Sequence, residues 1–192
     1  SAKAVDFMGG NRIVVHTGSC GKISREEALL LAIDTMKLAI NALDAEGLSN
    51  IRICPETMGK INQLGDLEEI MRFCAVDERV IPCIDFGHLN ARTQGGLTTR
   101  EQFEKVFEIM ENAIGIDRVR RYHAHFSKIE YSAGGEVRHL TFEDDKYGPP
   151  FEHLMEITYK KGCSPTIICE SAGTQAEDAL AMKTYYKRLE GK

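Results

Sequence analysis

Residues Val80–Ala91, VIPCIDFGHLNA, begin as an apolar run and turn abruptly polar at Asp85 and His88. Val80, Ile81, Cys83 and Ile84 have the composition of a strand buried on both faces, as in a parallel sheet. An acid at the end of such a strand is costly to bury unless it is paired, hydrogen-bonded or bound to a metal. His88 follows three residues on, just past the strand end, where loops carry function. The spacing D-x-x-H lets a carboxylate oxygen and an imidazole nitrogen reach into one pocket. The structural alternative is an Asp that caps the next segment and a His satisfied by a backbone carbonyl.

Outward from this stretch, strand and helix alternate. Ala4–Met8 reads as the last turns of a helix, closed by Gly9-Gly10. Arg12–His16 is a strand and Thr17–Ile23 a loop. Ser24 and Glu27 have capping-box spacing at the start of a helix that runs to about Glu46. Ile51–Glu56 is the next strand, Thr57–Gly65 a loop and Asp66–Cys74 a short helix. After the quoted strand come a helix within Thr98–Gly115, a strand at Tyr122–Ser127 and a long polar loop from Lys128 to Pro150. Phe151–Lys161 is a helix, Thr166–Glu170 the last strand and Thr174–Leu189 the last helix. Five strands, each followed by a helix, imply right-handed parallel crossovers. No G-x-G-x-x-G and no P-loop occur, so a nucleotide-binding sheet is not favoured. The fold class expected is α/β, of the (β/α)8 barrel type, here an incomplete barrel of about five parallel βα units. Residues 1–192 read as a single domain, the C-terminal portion of such a barrel. Ser1 is not a natural initiator, and the helix end at Ala4–Met8 suggests that earlier strands are missing.

Composition narrows the class. The 192 residues are 43% hydrophobic, enough for one sizeable core. The formal net charge is −5 with no polybasic patch, so charge gives nucleic-acid binding no support. A metal cluster could still supply local positive charge. No apolar run approaches the roughly 20 residues of a membrane span. The 6 Cys form no C-x-x-C pair, and Cys54, Cys83 and Cys169 sit in apolar runs. A reduced, cytoplasmic protein without a disulfide framework is expected.

Each strand ends in a residue able to bind a metal: His16, Glu56, Asp85 with His88 beyond it, His123 with His125, and Glu170. His123 and His125 share a face because strands have period two. Carboxylates and imidazoles suit Zn, Mn or Fe, and a carboxylate such as Glu56 can bridge two ions. Several ions together can generate a hydroxide, hold a substrate oxygen and stabilise a leaving alkoxide. The same donors could instead hold one Mn or Mg that polarises a sugar carbonyl. No thiolate is expected at a strand end, which argues against a structural zinc site. His139 could add a ligand or contact substrate, with a packing role as the alternative. His153 reads as structural or solvated. Lys128 reads first as a solvated cation, with an anionic substrate as its other use. Asn62, Gln63 and Asn90 could hydrogen-bond substrate from loops. Glu143-Asp144-Asp145 reads as a solvated loop.

The segments VVHTGS (Val14–Ser19), ICPETMGKINQLGDLEEI (Ile53–Ile70), CIDFGHLNA (Cys83–Ala91), HAHFSK (His123–Lys128) and IICESAG (Ile167–Gly173) together resemble endonuclease IV. That is the metal-dependent abasic-site nuclease (AP endonuclease family 2), a relative of the xylose-isomerase-like barrels. The resemblance implies His16, Glu56, Asp85, His88, His123 and Glu170 as metal ligands, with Glu56 bridging. It places His125 where the family has a polar non-ligand, and His139 near the histidine of a D-x-H pair that completes a third metal site. Two residues before His139 stands Val137 where that pair has its aspartate, and Glu136 is out of register. The family's first three strands, with another histidine ligand, have no counterpart here.

Three functional readings result. The leading one is metal-dependent hydrolysis of the DNA phosphodiester at abasic sites, with Zn as the first choice of divalent ion and Glu56 and Glu170 as catalytic residues. In this reading Asn62, Gln63, Asn90, His125 and Lys128 contact substrate. The second is a sugar isomerase or epimerase with one Mn or Mg among Glu56, Asp85, His123 and Glu170, the two glutamates moving protons. The third is an inactive half-barrel that self-associates through open sheet edges, a homo-oligomer without catalysis.

Overall fold

The computed structural model describes residues 1–191. Eight helices and seven strands alternate along it: α1 (Ala2–Phe7), β1 (Arg12–Val15), α2 (Arg25–Ala45), β2 (Arg52–Pro55), α3 (Leu67–Cys74), β3 (Cys83–Asp85), α4 (Phe86–Arg92), α5 (Arg100–Ile114), α6 (Ile116–Val119), β4 (His123–Phe126), β5 (Ile129–Ser132), β6 (Gly135–His139), α7 (Glu152–Lys160), β7 (Thr166–Cys169) and α8 (Gln175–Glu190). β1 and β2 form one parallel ladder, and β3, β4 and β7 form another. Parallel bridges Ile53–Val80 and Glu56–Cys83 join β2 to β3. The result is one arc in the order β1-β2-β3-β4-β7, with every chemistry-bearing strand end on the same edge. β1 and β7 do not pair, so the described residues form no closed barrel.

Helix starts follow the local chemistry. Asp66 accepts from the Glu69 N–H at 2.9 Å, and Glu69 accepts in return from the Asp66 N–H at 3.0 Å, a full capping box. At α2 only half of the expected box forms: Ser24 Oγ accepts from the Glu27 N–H at 3.2 Å. Between arc and helices lies an aromatic core. Phe86, Phe103, Phe107, Tyr122 and Phe126 are fully buried. Phe86 stacks on Phe103 at 5.5 Å between ring centroids, and Phe107 meets Tyr122 edge-on at 5.5 Å. Such pairs contribute about 0.5–1.5 kcal/mol each beyond their buried area.

Two segments depart from the sequence expectation. The polar stretch from Lys128 to Pro150 is not all loop: β5 and β6 make an antiparallel hairpin within it. His88 lies in a short helix, α4, rather than in a loop. Asp85 is its N-cap, accepting from the His88 N–H at 2.7 Å. Gly87 is forced by packing, since a Cβ there would stand 2.5 Å from the Ser127 carbonyl oxygen.

Candidate metal centre

Glu56 is the hub. It leaves the end of β2, is 2% exposed, and its two oxygens face different partners. Oε1 lies 2.9 Å from His125 Nδ1 and 3.5 Å from His88 Nδ1, while Oε2 lies 3.3 Å from His16 Nε2. Two oxygens aimed at separate imidazoles are the geometry of a bridging carboxylate. His16 is the open side of this group, its side chain 65% exposed. Asp85 is wholly buried, and Glu170 Oε1 stands 3.3 Å from His125 Nδ1. Oxygens of Glu56, Asp85 and Glu170 and a nitrogen of His125 all fall within 4.8 Å of one another.

A second group forms beside it. Nδ1 of His88 is 2.9 Å from the Thr57 carbonyl, so it carries the proton and leaves Nε2 free to bind. That Nε2 lies 3.4 Å from Glu136 Oε2. Ser127 Oγ holds His139 Nδ1 at 2.8 Å, and His139 Nε2 lies 3.8 Å from Glu136 Oε1. His88, Glu136 and His139 thus converge within 4.8 Å. Glu136 and His139 are three residues apart, and a regular strand would send them to opposite faces. The hairpin has a bulge: Tyr131 pairs with Glu136 and Glu130 with Arg138, leaving Val137 without a partner and 51% exposed. The extra residue restores Glu136 to the face of His139. E-x-x-H with a bulge thereby brings a carboxylate and an imidazole to one face, as D-x-H would in a regular strand.

The electrostatics suit a cation. Burial pushes the Glu56 carboxyl up, but hydrogen bonds from His125 and His88 and their charges outweigh it and hold it at about 2. Burial pushes His88 down, yet the charge of Asp85 and the contacts with Glu56 and Glu136 raise it to about 10. Burial likewise opposes His125, which Glu56 and Glu170 raise. Burial raises Glu170. Burial, then the charges of His125 and Arg12, push His123 down to about 4. One oxygen of the site is left over. Asp85 Oδ2 is buried with no hydrogen-bond partner among the described residues; His88 Nδ1 stands 3.3 Å away but donates its proton to the Thr57 carbonyl. An orphaned buried carboxylate oxygen is costly, and a divalent ion among Glu56, Asp85, His125 and Glu170 would satisfy it. The residues present therefore fit a metal. A cavity of about 260 Å³, lined by His16, Glu56, Met58, Lys60, Gln63, His88, Glu136, His139 and Glu170, opens over both groups.

The profile of the xylose isomerase-like TIM barrel family matches residues 1–186. The chain belongs to this family. It is 33% identical over 185 residues to an uncharacterized protein of Methanocaldococcus jannaschii, a match covering 96% of this chain and 66% of that one. It is 31% identical over 160 residues to a probable endonuclease 4 of Acholeplasma laidlawii, covering 81% of this chain and 51% of the relative. Among solved structures it resembles a D-tagatose 3-epimerase-like protein at a TM-score of 0.73 and 16% identity, over 99% of this chain and 67% of that one. The chain thus spans between half and two thirds of the length of these proteins.

Within this arc of the xylose isomerase-like family the remaining sequence candidates separate. His125 stands with the carboxylates, where the resemblance implied His123. His123 is buried one step down β4, beside Cys83. Gln63 reaches the cavity, with Oε1 buried and unpartnered among the described residues. Asn90 does not face the cavity: its Oδ1 accepts from the Leu97 N–H at 3.0 Å and braces a loop. Asn62 is exposed and does not line the cavity. Lys128 turns away, donating to the carbonyls of Phe142, at 2.9 Å, and Asp144. His153 packs edge-on against Phe103 at 5.8 Å, a structural role. Two residues of the site were absent from the expected set. Glu136 is out of register with His139 in a regular strand, so residue spacing hides it. Lys60 lines the cavity, and its backbone pairs with Gly135. No helix among the described residues is long and apolar enough to cross a membrane.

Proposed function

We propose that this protein is a metal-dependent phosphodiesterase of the endonuclease IV type, acting on DNA at abasic sites. Residues 1–192 would form one domain contributing five βα units of the barrel. The observation that carries the reading is the existence of two adjacent donor groups with a bridging carboxylate between them and His16. The isomerase or epimerase reading drawn from the sequence places one ion among Glu56, Asp85, a histidine and Glu170. It gives no role to His88, Glu136 and His139 converging a few ångströms away. Several ions side by side are what in-line phosphodiester displacement uses. The kinship with a probable endonuclease 4 points the same way.

Glu56, Asp85, His125 and Glu170 would hold one divalent ion, His88, Glu136 and His139 another, and His16 with Glu56 a neighbouring position. Bound there, such ions would lower the pKa of water and offset phosphate charge. Zn is the ion best matched to this mix of imidazole and carboxylate. The chain's own residues do the rest. Glu56 stays ionised and tethers three imidazoles. Glu170, raised by burial and partly exposed, is placed to accept a proton at the cavity mouth. Lys60 and Gln63 reach the cavity from a loop fastened by Arg92, which donates to the carbonyls of Lys60 at 2.8 Å and Met58 at 3.1 Å. Lys60 is a cation available to a phosphate.

The test is cleavage of an oligonucleotide with one abasic site by this protein in Zn2+, Mn2+ or Mg2+. Incision that is lost in Glu170→Gln supports the reading. No incision with any of the three ions contradicts it. A single bound ion together with turnover of a ketose would establish the epimerase reading instead.

A further inference from the structure

Beneath the carboxylates, one step toward the N-terminal ends of β3 and β4, lies a group of different chemistry. Cys83 and His123 are direct partners across the β3–β4 ladder. Period two puts Cys83 on the face of Asp85, and His123 on that of His125. The Cys83 thiol and one ring nitrogen from each of His123 and His125 lie within 4.8 Å of one another. Cys83 is 0%, His123 5% and His125 7% exposed. A second observation concerns the same imidazole. His123 Nδ1 is buried with no hydrogen-bond partner among the described residues. A nitrogen so placed forfeits a bond it would make in water, and a cation bound to it would restore one.

We propose that Cys83, His123 and His125 form a thiolate-bearing cation position of their own, selective for a borderline-soft divalent ion such as Zn2+. Hard ions such as Mn2+ and Mg2+ belong to the carboxylates above it. His125 belongs to both groups, so Zn2+ can be held on either side of that imidazole, and the thiolate side is the one that discriminates against hard ions. Binding displaces the thiol proton: the S–H bond is lost, a sulfur–metal bond forms, and one proton leaves to solvent with no change of oxidation state. Three protein ligands leave a fourth tetrahedral position open. Cys83 opens its strand rather than ending it, so the pattern of strand-end ligands does not include it. The proposal is independent of the reaction assigned above.

Co2+ reports on it directly, since a thiolate ligand gives an intense near-ultraviolet sulfur-to-cobalt charge-transfer band. The full chain titrated with Co2+ should develop that band. It should vanish in Cys83→Ser, persist in Cys20→Ser, and require at least about tenfold more Co2+ in His123→Ala. Bound Co2+ without the band, or a band that survives Cys83→Ser, overturns the proposal. Should Cys83→Ser fail to fold, X-ray absorption of the Zn2+-loaded native chain decides: one sulfur at about 2.3 Å is expected, and a shell of nitrogen and oxygen alone refutes it. Abasic-site incision without a sulfur ligand would refute this site and leave the nuclease reading standing. A sulfur ligand without incision would do the reverse.

Discussion

Replacing Gly59 by alanine strikes the centre from outside its ligand set. A methyl there would stand 2.6 Å from Glu136 Cβ, 2.9 Å from Glu136 Oε2 and 2.9 Å from His88 Cδ2. Ordinary contact between such atoms is roughly 3.5–4.0 Å. The backbone has little room to retreat, because the Gly59 carbonyl accepts from the Glu136 N–H at 3.1 Å where the loop meets the hairpin. Overpacking of this kind costs about 1–3 kcal/mol. For a domain of this size each kcal/mol is worth about 2–4 °C, so Tm should fall by about 2–12 °C. Glu136 would also be driven off His88, so the His88–Glu136–His139 group should lose its ion while the Asp85–His125 group keeps its own. Calorimetry and elemental analysis of Gly59→Ala beside the native protein read both effects. An unchanged Tm with unchanged metal content would refute the argument.

Glu136→Gln keeps the size of the side chain and removes its charge, so bound metal should drop by the one ion of that group in elemental analysis; full occupancy would show that Glu136 is not a ligand. In the metal-free protein, His88 is raised from 6.5 to about 10. A raised folded-state pKa gives stability that is complete below pH 6.5 and lost as pH rises through about 10. Urea unfolding should therefore show stability falling over that window, with a flatter slope in His88→Asn; identical slopes would contradict the assignment. Arg92 donates to the carbonyls of Met58, Lys60, Ile61 and Gln63. The single ammonium of Arg92→Lys cannot span them, so stability should fall by about 1–2 kcal/mol and proteolysis at residues 58–63 should quicken. Native-like resistance would show that the loop holds itself.

The parallel arc was legible because each strand is a short apolar run with His, Asp or Glu in it or just after it. His16, Glu56, Asp85 and Glu170 close or follow their strands at one edge, whereas His123 opens β4 one step below. Three features were hidden, each for a physical reason. α4 is short, buried on all sides and interrupted by Gly87, so it shows no amphipathic period. The β5–β6 hairpin, IEYSAGGEVRH, is polar enough to read as loop, though Ala133-Gly134 between Ser132 and Gly135 is a turn signal. Glu136 was discounted by a register rule that holds for a regular strand, and a bulge at Val137 cannot be seen in residue spacing. His123 and His125 share a face, so sequence could not say which stands with the carboxylates. That depends on the stagger of β4 against β3, where Asp85 falls opposite His125.

The central claim is that the strand ends hold a cluster of divalent ions rather than one. Elemental analysis of this protein, stripped of metal and reloaded with Zn2+ or Mn2+, tests it most directly. More than one ion per chain is expected, falling by one in Glu136→Gln and further in Asp85→Ala. One ion or none in the native protein would contradict it.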